Sequence, residues 1–398
     1  MNIRVIQSIL TIIVAISANA AHYYVSSDVI NGVVYNHNDD SFIGGSTAFK
    51  SISEALTHVA NDDVISIQSG VYSENITITT PGITLLGHNA YGETRSQTRS
   101  APETSITGTI TVNADRVTVN GFRFTESGCI VASEQTPIND FTFAFNTVEA
   151  VTNEHPIVKI NNAIGLTISN NVFNGTSCPQ SELIKVNASS GQTDITGNTF
   201  SECSHCINIT ESHDAINICH NIFRTVNVCA ISLQCMGVRD KVQISICDNM
   251  FDGCRTSDKT FPVMLEQSND GTHMTAATQS ALMFNRNVIK NFSPKPDADF
   301  YYFLWAEASD CSPIAVDTRF NRCDNSSVAF GTTPPKWETQ SQRYFAGSTG
   351  LFDFEQASAD YYRNPAGTQQ HQYALKTNAA AQSFDIDTET GDIYYIQT

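Results

Sequence analysis

The amino-acid sequence predicts an all-β fold built as a solenoid of stacked coils. Three observations predict it. An eight-residue motif containing an asparagine recurs along the middle of the chain, a short apolar strand lies between successive copies, and the first five copies lie 23 to 28 residues apart. One coil of this size cannot bury its apolar face alone, whereas stacked coils bury a continuous core.

The recurring motif reads apolar, any, apolar, any, any, Asn, any, and then usually an apolar residue. Alternation along a strand directs its first and third positions inward, such as Leu166 and Ile168, and Thr167 outward. An earlier copy has Phe122 in place of the asparagine. Stacked asparagines are expected to hydrogen bond to one another through their side-chain amides. The asparagines are Asn146, Asn171, Asn198, Asn221, Asn249, Asn287 and Asn321.

A second short strand separates successive motifs, so each coil contains at least two strands. A β-sandwich would not repeat such a register marker, and a leucine-rich horseshoe needs a leucine-dense consensus that this chain lacks. Parallel pairing from coil to coil is therefore expected. The second strands lie at 157–160, 183–186, 206–209, 230–233 and 262–265.

The opening of the chain adds an amphipathic segment at 49–56, suited to a helix that covers the open end of the core. Gly70-Val-Tyr-Ser-Glu74 and the apolar strands at 76–78 and 83–87 follow. With the repeated motif, this arrangement resembles the right-handed parallel β-helix of the pectin-lyase-like superfamily. The resemblance covers about 23–330 and implies a short N-terminal capping helix and a C-terminal cap; it does not imply one activity.

The motif stops at Gly331-Thr-Thr-Pro-Pro335, and the aromatic-rich sequence after it lacks cysteine. We interpret 331–398 as a C-terminal capping region. Asp385–Asp392 resembles a calcium loop, but its glycine is at the seventh place and Ile396 is at the twelfth. A turn joining strands at 383–386 and 393–396 is therefore predicted instead.

The N-terminus is typical of a signal peptide. Arg4 precedes a largely apolar run, and Ala18-Asn19-Ala20 fits the small-x-small cleavage rule. The run is too short to span a membrane. The sequence therefore predicts a signal peptide at 1–20, a β-helix domain at 21–330, and a secreted, extracellular protein without a membrane span.

Composition limits the partners. The 398 residues are 41% hydrophobic, and 40 Asp and Glu oppose 22 Lys and Arg, for a formal charge of −18. Nucleic acid is excluded as a partner because phosphate binding needs a basic patch. An acidic polysaccharide would need a local cationic groove or bridging calcium, although no sequence motif indicates calcium and no cofactor is predicted.

Secretion predicts two kinds of modification, disulfides and N-glycosylation. The eleven cysteines should mostly form disulfides. Cys219 and Cys247 both lie two residues before a repeated asparagine, so in-register coils would place them about 4.8 Å apart, within bridging range. Cys203, Cys206 and His213 mimic zinc spacing, but disulfides usually prevail in secreted chains and no metal site is predicted. Candidate N-glycosylation sequons lie at Asn75, Asn174, Asn187, Asn208, Asn291 and Asn325.

Two segments resemble enzymes of the superfamily, namely pectin methylesterases and polysaccharide lyases. Gly70–Glu74 resembles the start of pectin methylesterases, but the downstream strands that carry their paired carboxylates are missing. Residues 182–223 resemble central coils of alginate- and chondroitin-type lyases, which need a base and an arginine on adjacent coils. Those positions hold Asn187 and Thr210, which argues against lyase activity.

Lys159 and Lys185 share one outward register and are the catalytic candidates of this region. The sequence thus predicts a secreted β-helix protein that binds or acts on extracellular polysaccharide, and it favours binding without catalysis. If the protein is an enzyme, a polysaccharide lyase or a related glycan-active enzyme is expected. The alternative function is a non-enzymatic structural or adhesive cell-surface protein.

Overall fold

The structure is a computed structural model. It describes residues 20–27, 32–36, 41–45, 47–90, 103–125, 129–132, 137–149, 157–175, 182–187, 190–210, 215–234, 243–255, 262–266, 281–292, 302–306, 315–317, 321–324, 329–332, 384–386 and 393–395.

Three long parallel sheets form the fold, with strands numbered β1–β36 along the chain. Sheet I contains β1 (His22–Val25), β4 (Ala48–Phe49), β5 (Val64–Ile67), β8 (Thr84–Leu86), β11 (Thr118–Asn120), β14 (Ile138–Ala144), β17 (Ala163–Ser169), β20 (Ser190–Thr196), β23 (Ile216–Cys219), β26 (Gln243–Cys247), β29 (Ala281–Asn285) and β32 (Ala315–Asp317). Sheet II contains β6 (Gly70–Tyr72), β9 (Thr104–Ile106), β12 (Arg123–Phe124), β15 (Thr147–Glu149), β18 (Val172–Asn174), β21 (Thr199–Ser201), β24 (Ile222–Arg224), β27 (Met250–Asp252), β30 (Val288–Lys290) and β33 (Arg322–Asp324). Sheet III contains β7 (Ile76–Ile78), β10 (Thr109–Val112), β13 (Cys129–Ala132), β16 (Val158–Asn161), β19 (Glu182–Asn187), β22 (His205–Thr210), β25 (Cys229–Gln234), β28 (Val263–Glu266), β31 (Tyr302–Ala306) and β34 (Ala329–Thr332).

From β5 to β34 the chain visits sheets I, II and III in turn, and each strand up to β31 pairs in parallel with the strand three positions later. Such connections between parallel strands are right-handed in nearly all proteins. The architecture is the predicted right-handed parallel β-helix. Each coil therefore carries three strands, one more than the two recognised in the sequence, because the strands of sheet II are only two or three residues long.

The core contains a column of phenylalanine rings contributed by sheet II. Phe173, Phe200, Phe223 and Phe251 occupy one register on consecutive coils and are fully buried. Neighbouring ring centroids are 4.9, 5.0 and 4.8 Å apart, with the planes 5–7° from parallel. The coil repeat of about 4.8 Å imposes this stacking. Leu166 and Ile168 are buried in the same core, as predicted.

The repeated asparagines form one buried column at the turn between sheets I and II, which confirms the predicted ladder. Each Oδ1 accepts from the backbone N–H and from the Nδ2 of the asparagine one coil earlier, at 2.8–3.1 Å. Each Nδ2 also donates to a backbone carbonyl of sheet I. At Phe122 only the backbone takes part, because its N–H donates to Asn146 Oδ1 at 2.9 Å.

The N-terminal helix is shorter than predicted. Helix α1 spans Ile52–Leu56, because Ala48 and Phe49 pair with β1 as a strand instead. Ser51 caps the helix by accepting from the Glu54 N–H. Glu74, the last residue of the Gly-x-Tyr-x-Glu motif, accepts from two backbone N–H groups at the helix start, both at 2.9 Å. The motif thus joins the first coil to the cap.

Two antiparallel hairpins accompany the coils: β2 (Val33–Asn36) with β3 (Ser41–Gly44), and β35 (Phe384–Ile386) with β36 (Ile393–Tyr395). The second hairpin confirms the two strands predicted near the C-terminus, while the predicted turn between them lies outside the described residues. The rest of the predicted cap after residue 332 lies outside the described residues, as does the predicted signal peptide up to residue 19, so these boundaries stay predictions. In the described part of the chain no helix is long and apolar enough to cross a membrane.

Candidate functional site

A polar surface lies on the outward side of sheet III, where β16, β19 and β22 are neighbours. Strand alternation places their apolar residues, such as Ile160, Val186 and Ile209, in the core and their polar residues outside. We call this surface the sheet III face. It comprises Lys159, Asn161, Glu182, Lys185, Asn187, His205, Asn208 and Thr210.

Register arranges part of this face in two rows that cross the three strands. Lys159, Lys185 and Asn208 form the first row. Asn161, Asn187 and Thr210 form the second. The shared register of the two lysines agrees with the sequence interpretation. Since neighbouring strands are about 4.8 Å apart, each row presents one polar group per coil at a regular spacing.

The second row is internally hydrogen bonded. Asn187 Nδ2 donates to Asn161 Oδ1 at 2.7 Å, and Thr210 Oγ1 donates to Asn187 Oδ1. Asn161 is 7% exposed, whereas Asn187 and Thr210 are half-buried. The row is therefore an ordered amide and hydroxyl surface.

Glu182 contacts two members of the first row, Asn208 and Lys185. Its carboxylate accepts from Asn208 Nδ2 at 2.6 Å, and Lys185 Nζ lies 3.9 Å from its other oxygen. The side chains of Lys185 and Glu182 are 34% and 25% exposed. Ion pairs between side chains with this degree of solvent exposure contribute little to the free energy of unfolding. The Lys185 ammonium therefore remains partly solvated above the face.

His205 is opposite Glu182 in the strand register and contacts Ser204 Oγ through Nδ1 at 3.1 Å. Burial lowers the pKa of His205 below its ordinary value of 6.5, and the nearby Glu182 charge opposes this shift. The imidazole is therefore mostly neutral at pH 7. Sequence analysis did not identify this residue as part of the face.

Comparison with family models decides the family. Residues 36–276, more than half of the chain, match the model of a family described as a protein of unknown function, DUF1565. The chain belongs to the DUF1565 family. No curated protein matches it.

Among solved structures, this DUF1565 protein is similar to a crystal structure of pectin methylesterase in complex with hexasaccharide VII, at 14% identity and a TM-score of 0.28. A mutant pectin methylesterase in complex with hexasaccharide IV gives 14% identity and a TM-score of 0.25. Both alignments cover 81% of this chain and 97% of the other. At such TM-scores these likenesses carry no conclusion about this DUF1565 chain, and its fold rests on the strand pairing described above.

The chemistry available on the face of this DUF1565 protein is limited. Asn187 and Thr210, at the positions where the lyase resemblance expects a base and an arginine, are hydrogen bonded to one another. Neither side chain takes a proton near neutral pH. Among the described side chains of the face, Glu182 is the one carboxylate, so the paired carboxylates of a methylesterase are not assembled there. No described group of His, Cys, Asp or Glu is arranged to hold a metal ion.

The sequons of this DUF1565 protein occupy different environments. Asn208 Nδ2 donates to Glu182 and Asn187 Nδ2 donates to Asn161, so glycosylation of either would break a hydrogen bond of the face. Asn75 and Asn291 are exposed, Asn174 is half-buried, and Asn325 lies outside the described residues. Glycosylation at all six sites stays a prediction.

The cysteines of this DUF1565 protein include two close pairs. Cys219 and Cys247 are in register on adjacent coils as predicted, and both are free thiols in the structure, so the disulfide stays a prediction. Cys203 Sγ and Cys206 Sγ are 2.7 Å apart and fully buried. Burial and the neighbouring Cys203 thiol raise the pKa of Cys206. His213, the further residue of the zinc-like spacing, lies outside the described residues.

Proposed function

We propose that this protein is secreted and binds extracellular polysaccharide along the sheet III face without cleaving it. The observation that carries the proposal is the pair of rows, which repeat amide, hydroxyl and ammonium groups from coil to coil. A polysaccharide presents hydroxyl groups at regular intervals, so a periodic row of polar groups suits a periodic polymer. The three parallel sheets make the row straight and rigid, which lowers the entropy lost on binding.

The lysines favour a polymer that carries carboxylates, such as a uronate. Lys159 and Lys185 bring two ammonium groups to adjacent coils of a protein whose formal charge is −18. Attraction therefore has to come from this local pair, because the overall charge of the chain repels a polyanion. We expect weak binding that decreases as salt is added, since partly exposed charges are screened.

Catalysis is not part of the proposal because the face lacks a positioned base. Removing a general base typically costs about 10²–10⁴-fold in rate, and removing electrostatic stabilisation costs a similar factor. Lys185 is the cation nearest the expected base position, and its ammonium faces Glu182. We therefore expect no unsaturated product from alginate or chondroitin.

The test is a titration of the purified mature protein with pectate, alginate and a glycosaminoglycan, measuring binding, reducing ends and unsaturated product together. The Lys159→Gln/Lys185→Gln double variant should bind uronate polymers about three- to thirtyfold more weakly, since each exposed charge contact contributes up to about 1 kcal/mol. The Arg224→Gln/Lys290→Gln double variant is the matched control, because it removes two positive charges from sheet II. Equal loss in both variants, or binding to none of the polymers, would contradict the proposal.

A second candidate function is a non-enzymatic structural or adhesive surface protein. The stacked phenylalanines and the asparagine ladder favour it, because they make the solenoid a rigid spacer independent of any ligand. Absence of glycan binding by a stable, correctly folded protein would support this candidate. Product formation that disappears in Lys185→Ala would instead establish a lyase with Lys185 as its base.

A further inference from the structure

Asp63 is a buried carboxylate at the N-terminal end of the solenoid. It directly precedes β5 and is 2% exposed. One oxygen, Oδ1, accepts from the backbone nitrogen of Ala21 at 2.6 Å. The other, Oδ2, accepts from the backbone N–H of Ala60 at 2.7 Å. Both oxygens are thus directed at backbone nitrogens.

In the uncleaved chain these two partners are neutral amides. Among the described residues neither lysine nor arginine pairs with Asp63, while the adjacent Asp62 has Arg116 as its partner at 3.1 Å. A buried carboxylate without a positive partner is unfavourable, because burial removes it from water and hydrogen bonds replace only part of its hydration. In the uncleaved chain the negative charge of Asp63 is therefore not balanced by a positive charge among the described residues.

The sequence shows where that charge can come from. Ala18-Asn19-Ala20 fits the cleavage rule for signal peptides, with hydrolysis between Ala20 and Ala21. In that reaction water adds to the peptide bond, Ala20 leaves with a new carboxylate, and Ala21 keeps the nitrogen. The freed α-amine takes up a proton, since its ordinary pKa is about 7.7–8.0, and becomes an ammonium at neutral pH.

We propose that the α-ammonium created at Ala21 by signal-peptide removal is the partner of Asp63, so that processing supplies the charge that completes the first coil. The site is built before cleavage. The Ala21 carbonyl accepts from the Val64 N–H at 3.0 Å, and β1 pairs with β5 from His22 onward. Strand pairing thus holds the Ala21 nitrogen against Asp63, and cleavage converts an amide hydrogen bond into a buried ion pair.

The location of the nitrogen makes the inference specific to one peptide bond. Cleavage one residue later would remove the Ala21 nitrogen altogether. Cleavage three residues earlier would keep its N–H as a hydrogen-bond donor but would place the ammonium at Ala18. A chain that begins at Ala18 therefore keeps the hydrogen bond to Asp63 but lacks the positive charge beside it. Comparing it with a chain that begins at Ala21 separates the contribution of the ion pair from that of the hydrogen bond.

The first test is N-terminal sequencing of the protein secreted from a precursor carrying residues 1–398. Ala21 as the first residue supports the proposal, and any other first residue overturns it. The second test compares chains that begin at Ala21 and at Ala18, each with Asp63 and with Asp63→Asn, in denaturant titrations. The unfolding equilibrium constant of the Asp63 chain should rise by at least about tenfold when Ala18 is the first residue, because one partner of a buried ion pair has lost its charge.

With Asp63→Asn, the chains that begin at Ala21 and at Ala18 should be equally stable, because asparagine carries no charge and cannot form the ion pair. Equal stability with Asp63 present, or a difference that persists with Asp63→Asn, overturns the proposal. If Asp63→Asn does not fold, labelling of the unaltered mature chain decides. An acylating reagent should modify the α-amine of folded protein at least about tenfold more slowly than that of unfolded protein, and equal rates overturn the proposal.

Discussion

Asn171 and Asn198 are bonded twice across adjacent coils. The backbone N–H and the Nδ2 of Asn171 both donate to Asn198 Oδ1, each at 2.9 Å. Asn198 in turn donates from Nδ2 to Asn221 Oδ1 and to the Ile168 carbonyl, at 3.0 and 2.9 Å. One buried amide thus satisfies its own four hydrogen-bonding positions and ties three coils together, which no apolar side chain of similar size can do.

We predict that Asn198→Leu lowers the free energy of unfolding by about 1–3 kcal/mol, because the two buried donors of Asn171 lose their acceptor, and Asn221 Oδ1 and the Ile168 carbonyl lose a donor. Asn198→Asp should also destabilise the protein, since a carboxylate cannot donate to Asn221 or to the Ile168 carbonyl. Asn113→Ala, at an exposed turn residue, is the control and should change little. Equal unfolding midpoints for Asn198→Leu and the control in urea would contradict the role assigned to the ladder.

The ladder could be predicted from sequence because its spacing repeats, whereas the turn beside it could not. From Asn146 to Asn287, the residue before each ladder asparagine has a left-handed backbone, including Phe145 with φ of 57° and Arg286 with φ of 55°. Phenylalanine and arginine rarely adopt this conformation, so the sequence does not indicate the turn at these two positions. Tertiary pairing on both sides of the turn fixes the backbone at these two residues, whereas Asn170, Gly197 and Asp248, at equivalent positions, adopt it more readily. The strands of sheet II escaped sequence analysis because they are only two or three residues long.

The second prediction concerns pH and His205. Burial lowers its pKa in the folded state below the unfolded value of about 6.5. The unfolded chain therefore binds more protons below about pH 6.5, so the free energy of unfolding should fall as pH decreases through that range. Well above pH 6.5 both states hold a neutral imidazole and the contribution is fully present.

His205→Gln should flatten this part of the pH profile, because glutamine keeps a polar side chain opposite Glu182 without titrating. The measurement is the urea midpoint at a series of pH values from 5 to 8 for both proteins. His22, whose pKa is also lowered by burial, provides the comparison through His22→Gln. An unchanged slope in His205→Gln would show that other groups cause the dependence.

The third prediction, which rests on the proposed secretion, is a disulfide between Cys219 and Cys247. The two residues are in-register neighbours, so their Cα atoms lie within the range that a disulfide spans. Each thiol now donates to a backbone carbonyl, Cys219 to Ser245 and Cys247 to Met283, and both must rotate to bond. Non-reducing peptide mapping should recover the two peptides joined.

Removing this disulfide with Cys219→Ser should lower the free energy of unfolding by about 2–4 kcal/mol in oxidised protein. The same substitution should have a much smaller effect after reduction, which provides the control. Recovery of either cysteine as an alkylated free thiol from native protein would contradict the prediction. The buried Cys203–Cys206 pair is to be mapped in the same digest, since its sulfur atoms lie 2.7 Å apart.

Part of the candidate site, like part of the fold, could be predicted from the sequence. Its lysine row could be predicted, because Lys159 and Lys185 occupy equivalent places in two copies of a visible repeat. The contacts of Glu182 with Asn208 and Lys185 could not, since loops of unequal length separate the strands and the exact register follows from pairing. Sequence analysis thus supplied positions on the face, and the structure supplied their partners.

The fourth prediction uses strain at the turn after sheet II. Thr225 is exposed and has φ of 53°, a left-handed conformation that is unfavourable for a β-branched residue. Gly253 occupies the equivalent place on the next coil with φ of 73°. Thr225→Asn should therefore raise the free energy of unfolding by about 0.5–1 kcal/mol, because asparagine tolerates this conformation at lower cost and adds none of the unfolded-state flexibility of glycine.

Thr167→Asn is the matched control for this prediction. Thr167 lies in β17 with an extended backbone on the outward side of sheet I, where a β-branched residue is favourable. The same substitution should therefore destabilise the protein there, and the two variants should shift the urea midpoint in opposite directions. A shift of the same sign in both would mean that the asparagine side chain, and not the left-handed turn, determines the effect.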